Sequence, residues 1–430
     1  MRVAIEKIVY PGRRMAAHEG QVVFTDEGLP GEIVEVEVVH RKKNYIEART
    51  VAVVEASAKR IEPRCGHYRT CSSYQALGYE DQVELKRGQL REILAGIGEA
   101  AEPELEFIPS PKIWHYRNKV RLSILWQGNK AGLAYHQPGS REEFTAVETC
   151  HLVAEPVNEL LKLLVRRVEE SKLTALREAE AKIGLAGRGE LILNLFWTSA
   201  YDPKALDPIL SALLSCFPIA GVVSYKKERG AEREIVEWGK PVVEERVGEI
   251  RYRVGSRSFF QVNVGILGTV VEDMKKLAGL RGKERLGDFY CGLGTFGIAL
   301  AGTVKEVYGV ESDPANVRFL KTNVDLNHLD RFKIFEGLSG EWIPRLLEKG
   351  LDAAVFDPPR KGLDLETVEA LIRHPVPTVI YLSCNPTTLA RDLKALLPAY
   401  RIKAVRGYDF FPHTPHIETL AVLIKRDGAN

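Results

Sequence analysis

Apolar and polar residues alternate in short runs over the first 60 residues of the chain. The alternation is clearest in Glu32–Val39, where apolar and acidic side chains take turns, and it is typical of half-exposed β-strands. Similar runs occur at Val3–Ile5, Gly20–Phe24 and Tyr45–Val51, separated by turns rich in Gly, Pro and Asp. This pattern predicts a small β-barrel of the oligonucleotide-binding type over residues 1–60.

The middle of the chain mixes helical and strand periodicities. A polar loop with two cysteines spans residues 61–82, and Glu80–Ala95 and Val157–Glu180 carry apolar residues at helical spacing. Strand-like runs such as Leu191–Trp197 follow these helical segments. We therefore predict a mixed α/β central domain over residues 83–260.

Strand and helix patterns alternate regularly over residues 261–430, which predicts a doubly wound, mostly parallel, Rossmann-like sheet. The first strand leads into Cys291–Gly297, which fits G-x-G-x-x-G with a strand before it and a helix after it. Ligands of such sheets bind beyond the carboxyl ends of the strands. Glu311, Asp357 and Cys384 each end a predicted strand, so together they indicate an active site at that edge.

Cys384 follows a predicted buried strand and precedes a helical pattern. Asn385 is a good N-cap residue and Pro386 a good first helical residue. The positive end of a helix favours thiolate, so we expect Cys384 to be a nucleophile with a lowered pKa. A lone cysteine is more often a small buried residue, and only the neighbouring acids favour the catalytic interpretation.

Composition limits the possible classes of protein. The 430 residues are 45% hydrophobic and 27% charged, as in ordinary globular proteins. No run of about 18 apolar residues predicts a membrane span, and the first residues do not resemble a signal peptide. Six cysteines in so long a chain fit a reducing compartment, so we expect a cytoplasmic protein, most simply a monomer. The net charge of +2 confines any RNA-binding surface to a local patch.

Three basic stretches are candidate RNA contacts. Arg41–Tyr45 is a predicted loop with two lysines and an aromatic residue, and Gly12–Met15 is a second basic turn. Strand alternation would place three further cations on one face, where they could follow a phosphate backbone. Solvated surface is the alternative for each. The named candidates are Lys42, Lys43, Arg117, Lys119 and Arg121.

Five motifs between residues 259 and 418 resemble those of the S-adenosylmethionine-dependent RNA uracil-5 methyltransferases. This family makes 5-methyluridine in tRNA and 23S rRNA. Residues 1–60 resemble its TRAM barrel, and Arg117–Lys119 resembles a motif of its central RNA-contacting domain. The resemblance implies a class I methyltransferase domain over residues 261–430 and structured RNA as partner. The motifs are Phe259–Asn263, Asp288–Gly294, Phe356–Arg360, Ser383–Pro386 with Leu389–Asp392, and Phe411–Glu418.

The resemblance also implies roles for individual residues. Cys384 would attack C6 of the uracil, Glu418 would remove the C5 proton, and Asp357 would contact the methyl donor or the base. An extruded uracil could stack on Phe259, although a core aromatic is an equal alternative. The residues implied to contact S-adenosylmethionine are Gln261, Tyr290, Gly292, Gly294, Thr295, Glu311 and Asp357.

An iron–sulfur site is implied only in incomplete form. The family's loop runs C-x5-C-x2-C with a fourth cysteine downstream, and Cys65, Cys71 and Cys150 match three of these positions. Tyr74 occupies the remaining one. Three thiolates leave one iron without a protein ligand, so a four-iron four-sulfur cluster would be labile or absent.

Three alternative functions remain at this point. A cytosine-5 RNA methyltransferase typically carries a second cysteine where this chain has Asp357–Arg360. A non-catalytic RNA-binding protein would use the barrel and the basic strand, but it gives Cys384 and the acids no role. An NAD-dependent dehydrogenase could use the glycine loop, but it needs no cysteine at a later strand end.

Overall fold

Three β-structures organise the chain: a closed barrel, a seven-stranded sheet and an eight-stranded sheet, with a separate two-stranded hairpin. The computed structural model describes residues 1–98, 105–137, 140, 142–198, 201–228 and 231–428. The strands are β1 (Arg2–Val9), β2 (Arg13–His18), β3 (Gln21–Thr25), β4 (Ile33–Arg41), β5 (Tyr45–Glu55), β6 (Glu106–Ile108), β7 (Lys119–Gln127), β8 (Lys130–His136), β9 (Phe144–Ala146), β10 (Leu176–Ile183), β11 (Leu191–Trp197), β12 (Ile219–Glu228), β13 (Ala231–Gly239), β14 (Val242–Val247), β15 (Ile250–Gly255), β16 (Arg285–Phe289), β17 (Glu306–Glu311), β18 (Phe332–Glu336), β19 (Ala353–Phe356), β20 (Thr378–Ser383), β21 (Tyr400–Tyr408) and β22 (Glu418–Lys425). The α-helices are α1 (Tyr68–Cys71), α2 (Tyr79–Ala95), α3 (Glu155–Glu170), α4 (Pro203–Cys216), α5 (Leu267–Ala278), α6 (Thr295–Leu300), α7 (Pro314–Leu326), α8 (Ser339–Glu348), α9 (Leu365–Arg373) and α10 (Pro386–Leu396). Within these described ranges, no helix combines the length and apolarity needed to cross a membrane.

The N-terminal strands close into the predicted barrel, in the order β1-β2-β3-β5-β4. Alternate side chains such as Val3, Val23 and Val34 fill its interior, as the period-two pattern predicts. The prediction of a basic turn at Gly12–Met15 was wrong, because most of that stretch forms β2. Arg14 points inward there and donates hydrogen bonds to three backbone carbonyls, so it holds the barrel together and is not offered to RNA.

The central sheet has the order β13-β12-β11-β10-β7-β8-β9 and packs against α3 and α4. The predicted helix over Val157–Glu180 was too long, because α3 ends at Glu170 and β10 begins at Leu176. In β10, Ala179 and Ala181 are buried in the sheet core. Small apolar residues such as these fit both a helix and a strand. Here they form a strand, because β10 pairs with β11 on one side and with β7 on the other.

The C-terminal sheet has the order β18-β17-β16-β19-β20-β22-β21-β6, and the prediction of a Rossmann-like, mostly parallel sheet is confirmed. Helices α5–α7 pack on one face, and α8–α10 pack on the other. The strand β6 and the helix α2 also belong to this domain. We predicted both for the central domain, because β6 lies within residues 83–260 and α2 begins only just before that range. Leu90 and Leu94 of α2 are buried in the same apolar cluster as Leu389 and Leu393 of α10.

Candidate active site

A cavity of about 420 Å³ lies beyond the carboxyl ends of the strands β16, β19 and β20. The strand β22 runs antiparallel to β20, with Thr419 opposite Ser383, so its first residue lies at this same edge. Residues far apart in the sequence therefore meet in one cleft. Eight of the predicted site residues line the cavity: Phe259, Gln261, Tyr290, Gly292, Thr295, Asp357, Cys384 and Glu418.

Cys384 lies between the buried strand β20 and the helix α10, which begins at Pro386 as predicted. The Asn385 side chain accepts a hydrogen bond from the Thr387 backbone N–H at 3.2 Å, so the predicted N-cap is present. Its amide nitrogen donates to the Arg360 carbonyl at 3.1 Å. This second bond ties the cysteine loop to the loop that carries Asp357.

The expected lowering of the Cys384 pKa was wrong. Burial, followed by the charges of Glu418 and Asp357, raises the pKa of the thiol to about 11, and the Arg360 cation opposes the shift. A helix end acts on a partly buried thiol only as a fraction of a charge. Desolvation and two nearby carboxylates therefore outweigh it at this strand end.

The two carboxyl groups in the cavity hold their protons more tightly than exposed acids do. Burial raises the pKa of Asp357 to about 7, while a weak hydrogen bond from Gln261 at 3.5 Å opposes the shift. Burial and the charge of Asp357 raise the pKa of Glu418 well above its ordinary value. The Glu418 Oε1 atom has no hydrogen-bond partner among the described residues, and the side chain lines the cavity. A buried acid of this kind is suited to exchanging a proton with a bound molecule.

The glycine loop also lines the cavity. Glu311 supports it from behind, because its carboxylate accepts the backbone N–H groups of Gly292 (2.8 Å), Ser312 (2.8 Å) and Asp313 (2.7 Å). Gly294 has φ +85°, and a Cβ there would lie 2.6 Å from the Ile298 side chain. Neither Glu311 nor Gly294 lines the cavity, so their contact with a methyl donor stays a prediction.

The comparisons with known proteins agree with this geometry. The sequence model of the tRNA (uracil-5-)-methyltransferase family matches residues 78–426, which is most of the chain. The chain belongs to this family. The TRAM domain model matches residues 1–51 of the barrel.

Relatives of this methyltransferase cover almost its full length. It is 31% identical to an uncharacterized RNA methyltransferase of Clostridium acetobutylicum, over 94% of this chain and 92% of the relative. A similar protein of Listeria monocytogenes is 30% identical over 98% of this chain and 97% of its own. The crystal structure of Pyrococcus abyssi tRNA (uracil-54, C5)-methyltransferase in complex with S-adenosyl-L-homocysteine superimposes with a TM-score of 0.78. That protein is 28% identical, and the match covers 99% of this chain and 100% of the other.

The predicted RNA-contacting residues divide into two groups. Lys42 and Lys43 are exposed in the turn between β4 and β5. The other three residues contact the protein itself. The prediction that Arg117 lies on the strand was wrong, because β7 begins at Lys119, and Arg117 lies over the rings of Tyr116 and Phe411. Lys119 pairs with Glu180 at 3.5 Å, and Arg121 pairs with Glu178 at 2.5 Å and Glu232 at 2.6 Å. The strand face is therefore no row of unpaired cations, and its contact with RNA stays a prediction.

The three candidate metal ligands do not fit a cluster. Cys65 accepts a hydrogen bond from Gln75 at 3.3 Å, and Cys150 accepts one from Tyr135 at 3.4 Å. The Cys71 sulfur lies 3.5 Å from the hydroxyl of Ser72. Tyr74 is buried in a separate apolar cluster beside the barrel. Over the described ranges, no three His, Cys, Asp or Glu residues form a group that could hold a metal ion.

Two further residues act in the site but were not among the predicted ones. Arg360 lines the cavity and is the cation that opposes the raised pKa values of Cys384 and Glu418. The Asn118 side chain donates to the Gln261 carbonyl at 3.3 Å, and its backbone N–H donates to the Val262 carbonyl at 3.1 Å. Both residues lie inside motifs that the sequence had already indicated. Their roles depend on contacts across the chain that no local pattern contains.

The Arg360→Met substitution is expected to raise the pKa of Cys384 further, because it removes the opposing positive charge. Alkylation of the thiol at pH 8 should then slow by roughly three- to tenfold, since only the thiolate reacts. The rate is measured with iodoacetamide, by mass spectrometry of the peptide that contains Cys384. Arg373→Met, at the exposed end of α9, is the matched control. Equal alkylation rates of Cys384 at pH 8 in the two variants would contradict the role given to Arg360.

Proposed function

We propose that this protein transfers a methyl group from S-adenosylmethionine to C5 of a uridine in RNA, through a covalent adduct of Cys384. The observation that carries the proposal is the meeting of one thiol, the buried carboxyl group of Glu418 and the half-buried carboxyl group of Asp357 in the cavity beside the glycine loop. A dehydrogenase has no use for this set of groups. A cytosine-5 enzyme would need a second cysteine near Asp357.

The cavity has features that fit the donor. Gly292, Thr295 and Gln261 all line it, and the rigid ring of Pro358 adds apolar surface. Gly294 leaves no room for a side chain, so the loop keeps its close approach to α6 and α7. We expect Gln261, Tyr290, Thr295 and the glycine backbone to hold the donor. The bound donor supplies an electrophilic methyl group.

The residues of the chain then carry out addition and elimination on the base. The Cys384 thiolate bonds to C6, and the electron pair of the C5–C6 double bond moves toward the O4 carbonyl as an enolate. The C5 carbon of this enolate takes up the methyl group. The Glu418 carboxylate removes the proton left on C5, and the returning electron pair breaks the S–C6 bond. The resting Cys384 is a thiol with a raised pKa, so it has to lose its proton before it adds to C6. It returns as thiolate when the S–C6 bond breaks, and each later turnover releases one proton, the one taken from C5.

Arg360 and Asp357 support this cycle by charge. Arg360 favours the thiolate before addition, when negative charge is on sulfur. The pKa of Asp357 near 7 leaves it partly protonated at neutral pH, so it can donate a hydrogen bond to the ring or accept one from it. The target base has to leave its stack to reach such a buried pocket, and the exposed ring of Phe259 offers it a surface for stacking.

The experiment is methylation of RNA with isotopically labelled S-adenosylmethionine, followed by digestion to nucleosides. We expect label in 5-methyluridine only. Label in 5-methylcytidine would favour the cytosine-5 alternative, and no labelled nucleoside with either substrate RNA would contradict the proposal. Purified tRNA and 23S rRNA transcripts are assayed side by side. The RNA that takes up label identifies the substrate class, and we expect the enzyme to act in the cytoplasm as a monomer.

A further inference from the structure

The backbone segment Gly255–Ser258, which leads into Phe259, lies on the face of the central sheet. Lys182 of β10 is only 3% exposed, and its ammonium group points at this segment. It donates hydrogen bonds to the carbonyls of Gly255 (2.6 Å), Ser256 (3.2 Å) and Ser258 (2.9 Å). A single buried side chain therefore binds three of the four carbonyls in the segment.

Three neighbouring strands add contacts to the same segment. Asn194 of β11 donates to the Ser256 carbonyl at 3.3 Å, and the hydroxyls of Tyr225 and Ser256 share a hydrogen bond of 3.2 Å. Arg257 pairs with Glu232 of β13 at 2.7 Å and lies over the Tyr225 ring. The strands β10 to β13 are adjacent in the sheet, so together they form a continuous docking surface.

The three acceptors match the charged form of the lysine. An ammonium group has three N–H donors, whereas a neutral amine has two and a lone pair that would face the third carbonyl. Burial and Lys119 lower the pKa of Lys182 to about 7, and Glu180 and Glu245 oppose the shift. The carbonyl oxygens favour the ammonium form as well, because each one places a partial negative charge against it.

Phe259 depends on this segment for its position. The ring is 65% exposed while it lines the cavity, so its own packing holds it only weakly. Gln261, two residues later, is held separately through its carbonyl by Asn118. Loss of the lysine contacts should therefore move Phe259 more than Gln261.

We propose that Lys182 is a positioning residue, whose ammonium group fixes Gly255–Ser258 so that the Phe259 ring faces the cavity and supports the target base. The inference rests on the proposed function, because it assigns Phe259 to the RNA. It connects the central domain directly with the catalytic pocket. It also gives the polar face of the central sheet a role inside the protein.

The placement is tested first without RNA, by hydrogen exchange of the peptide that spans residues 250–262. Lys182→Met keeps much of the side-chain volume and removes the donors, so exchange in this peptide should become at least about tenfold faster. Lys204→Met, at an exposed lysine on α4 of the same domain, is the control and should leave exchange unchanged. Unchanged exchange in Lys182→Met would overturn the inference, whether or not the protein methylates RNA.

The functional consequence is tested by steady-state kinetics with RNA and by binding of S-adenosylhomocysteine. We expect Lys182→Met to raise KM for RNA about tenfold, while the Kd for S-adenosylhomocysteine changes less than about twofold. In a Phe259→Ala background the same substitution should add less than about a twofold effect, since the residue it positions is gone. Additive effects of the two substitutions would overturn the inference.

Tyr225→Phe is the second variant, because it removes one hydroxyl from the same surface and preserves the fold. We expect about a threefold increase in KM for RNA and the same loss of effect in the Phe259→Ala background. If Lys182→Met does not fold, the comparison of Tyr225→Phe alone with Tyr225→Phe in the Phe259→Ala background decides the question. An increase in KM for RNA that is equally large in both backgrounds contradicts the inference. A wild-type protein without uracil-5 methylation activity would instead refute the proposed function. The hydrogen-exchange experiment would still test whether Lys182 holds the segment Gly255–Ser258, because it uses no RNA.

Discussion

The Cys384→Ala substitution is expected to lower methylation at least about a thousandfold. Uracil C5 is a poor nucleophile until a group adds at C6, and alanine has no atom that can add. The other cavity residues keep their places, because the Cys384 loop is held by backbone and Asn385 contacts that the substitution leaves intact. Donor binding should therefore change by less than about twofold.

Transfer of label to RNA measures the activity, and calorimetric titration with S-adenosylhomocysteine measures the binding. Cys216→Ala is the control, because this cysteine is exposed on α4, in the central domain. A Cys384→Ala enzyme that keeps more than about a thousandth of wild-type turnover would remove the thiol from the mechanism. Loss of both activity and donor binding would indicate a damaged fold, which thermal unfolding then detects.

The Glu418→Gln substitution is expected to trap the protein on its RNA. Methyl transfer can still occur, but the amide accepts no proton from C5, so the S–C6 bond cannot break. The side chain keeps its size, and the Glu418 Oε1 atom has no hydrogen bond to lose among the described residues. The folded structure should accordingly be retained, with turnover reduced at least about a thousandfold.

The trapped species is detected as a slowly migrating protein–RNA band on a denaturing gel, with label from the methyl donor. The double variant Cys384→Ala, Glu418→Gln should not form the band. Asp357→Asn is the informative comparison, because this second acid lines the same cavity. A band with Asp357→Asn and none with Glu418→Gln would assign the proton transfer to Asp357.

The elements with strong periodicity could be predicted from the sequence, since local pattern and burial agree there. The strand β20 and the N-cap at Asn385 lie where the pattern places them. The meeting of Cys384 with Glu418 depends on an antiparallel strand, and the order of strands in a sheet is a long-range property. The raised pKa of Cys384 depends on burial and on the charges of acids brought close by the fold, so the helix end alone predicted the wrong direction.

The contacts of the cations in the central part of the chain could not be predicted, for a similar reason. Arg121 looked like an outward-facing cation, and strand alternation placed it correctly on one face of β7. That face binds Glu178 and Glu232, which come from two other strands of the sheet. The alternation of residues along one strand predicts which face of the sheet a side chain occupies. It does not predict which side chains of other strands lie next to it on that face.

The strand β22 is the last one in the described structure, yet it fills the position between β20 and β21. During synthesis on the ribosome the other strands are made first, and β20 and β21 are joined only when β22 pairs with both of them. The Glu418 carboxylate therefore reaches the thiol only when this late strand takes its place beside β20. Under the proposed mechanism, we expect a chain that stops before β22 to be inactive, because it lacks both the base and the strand that completes this edge of the sheet.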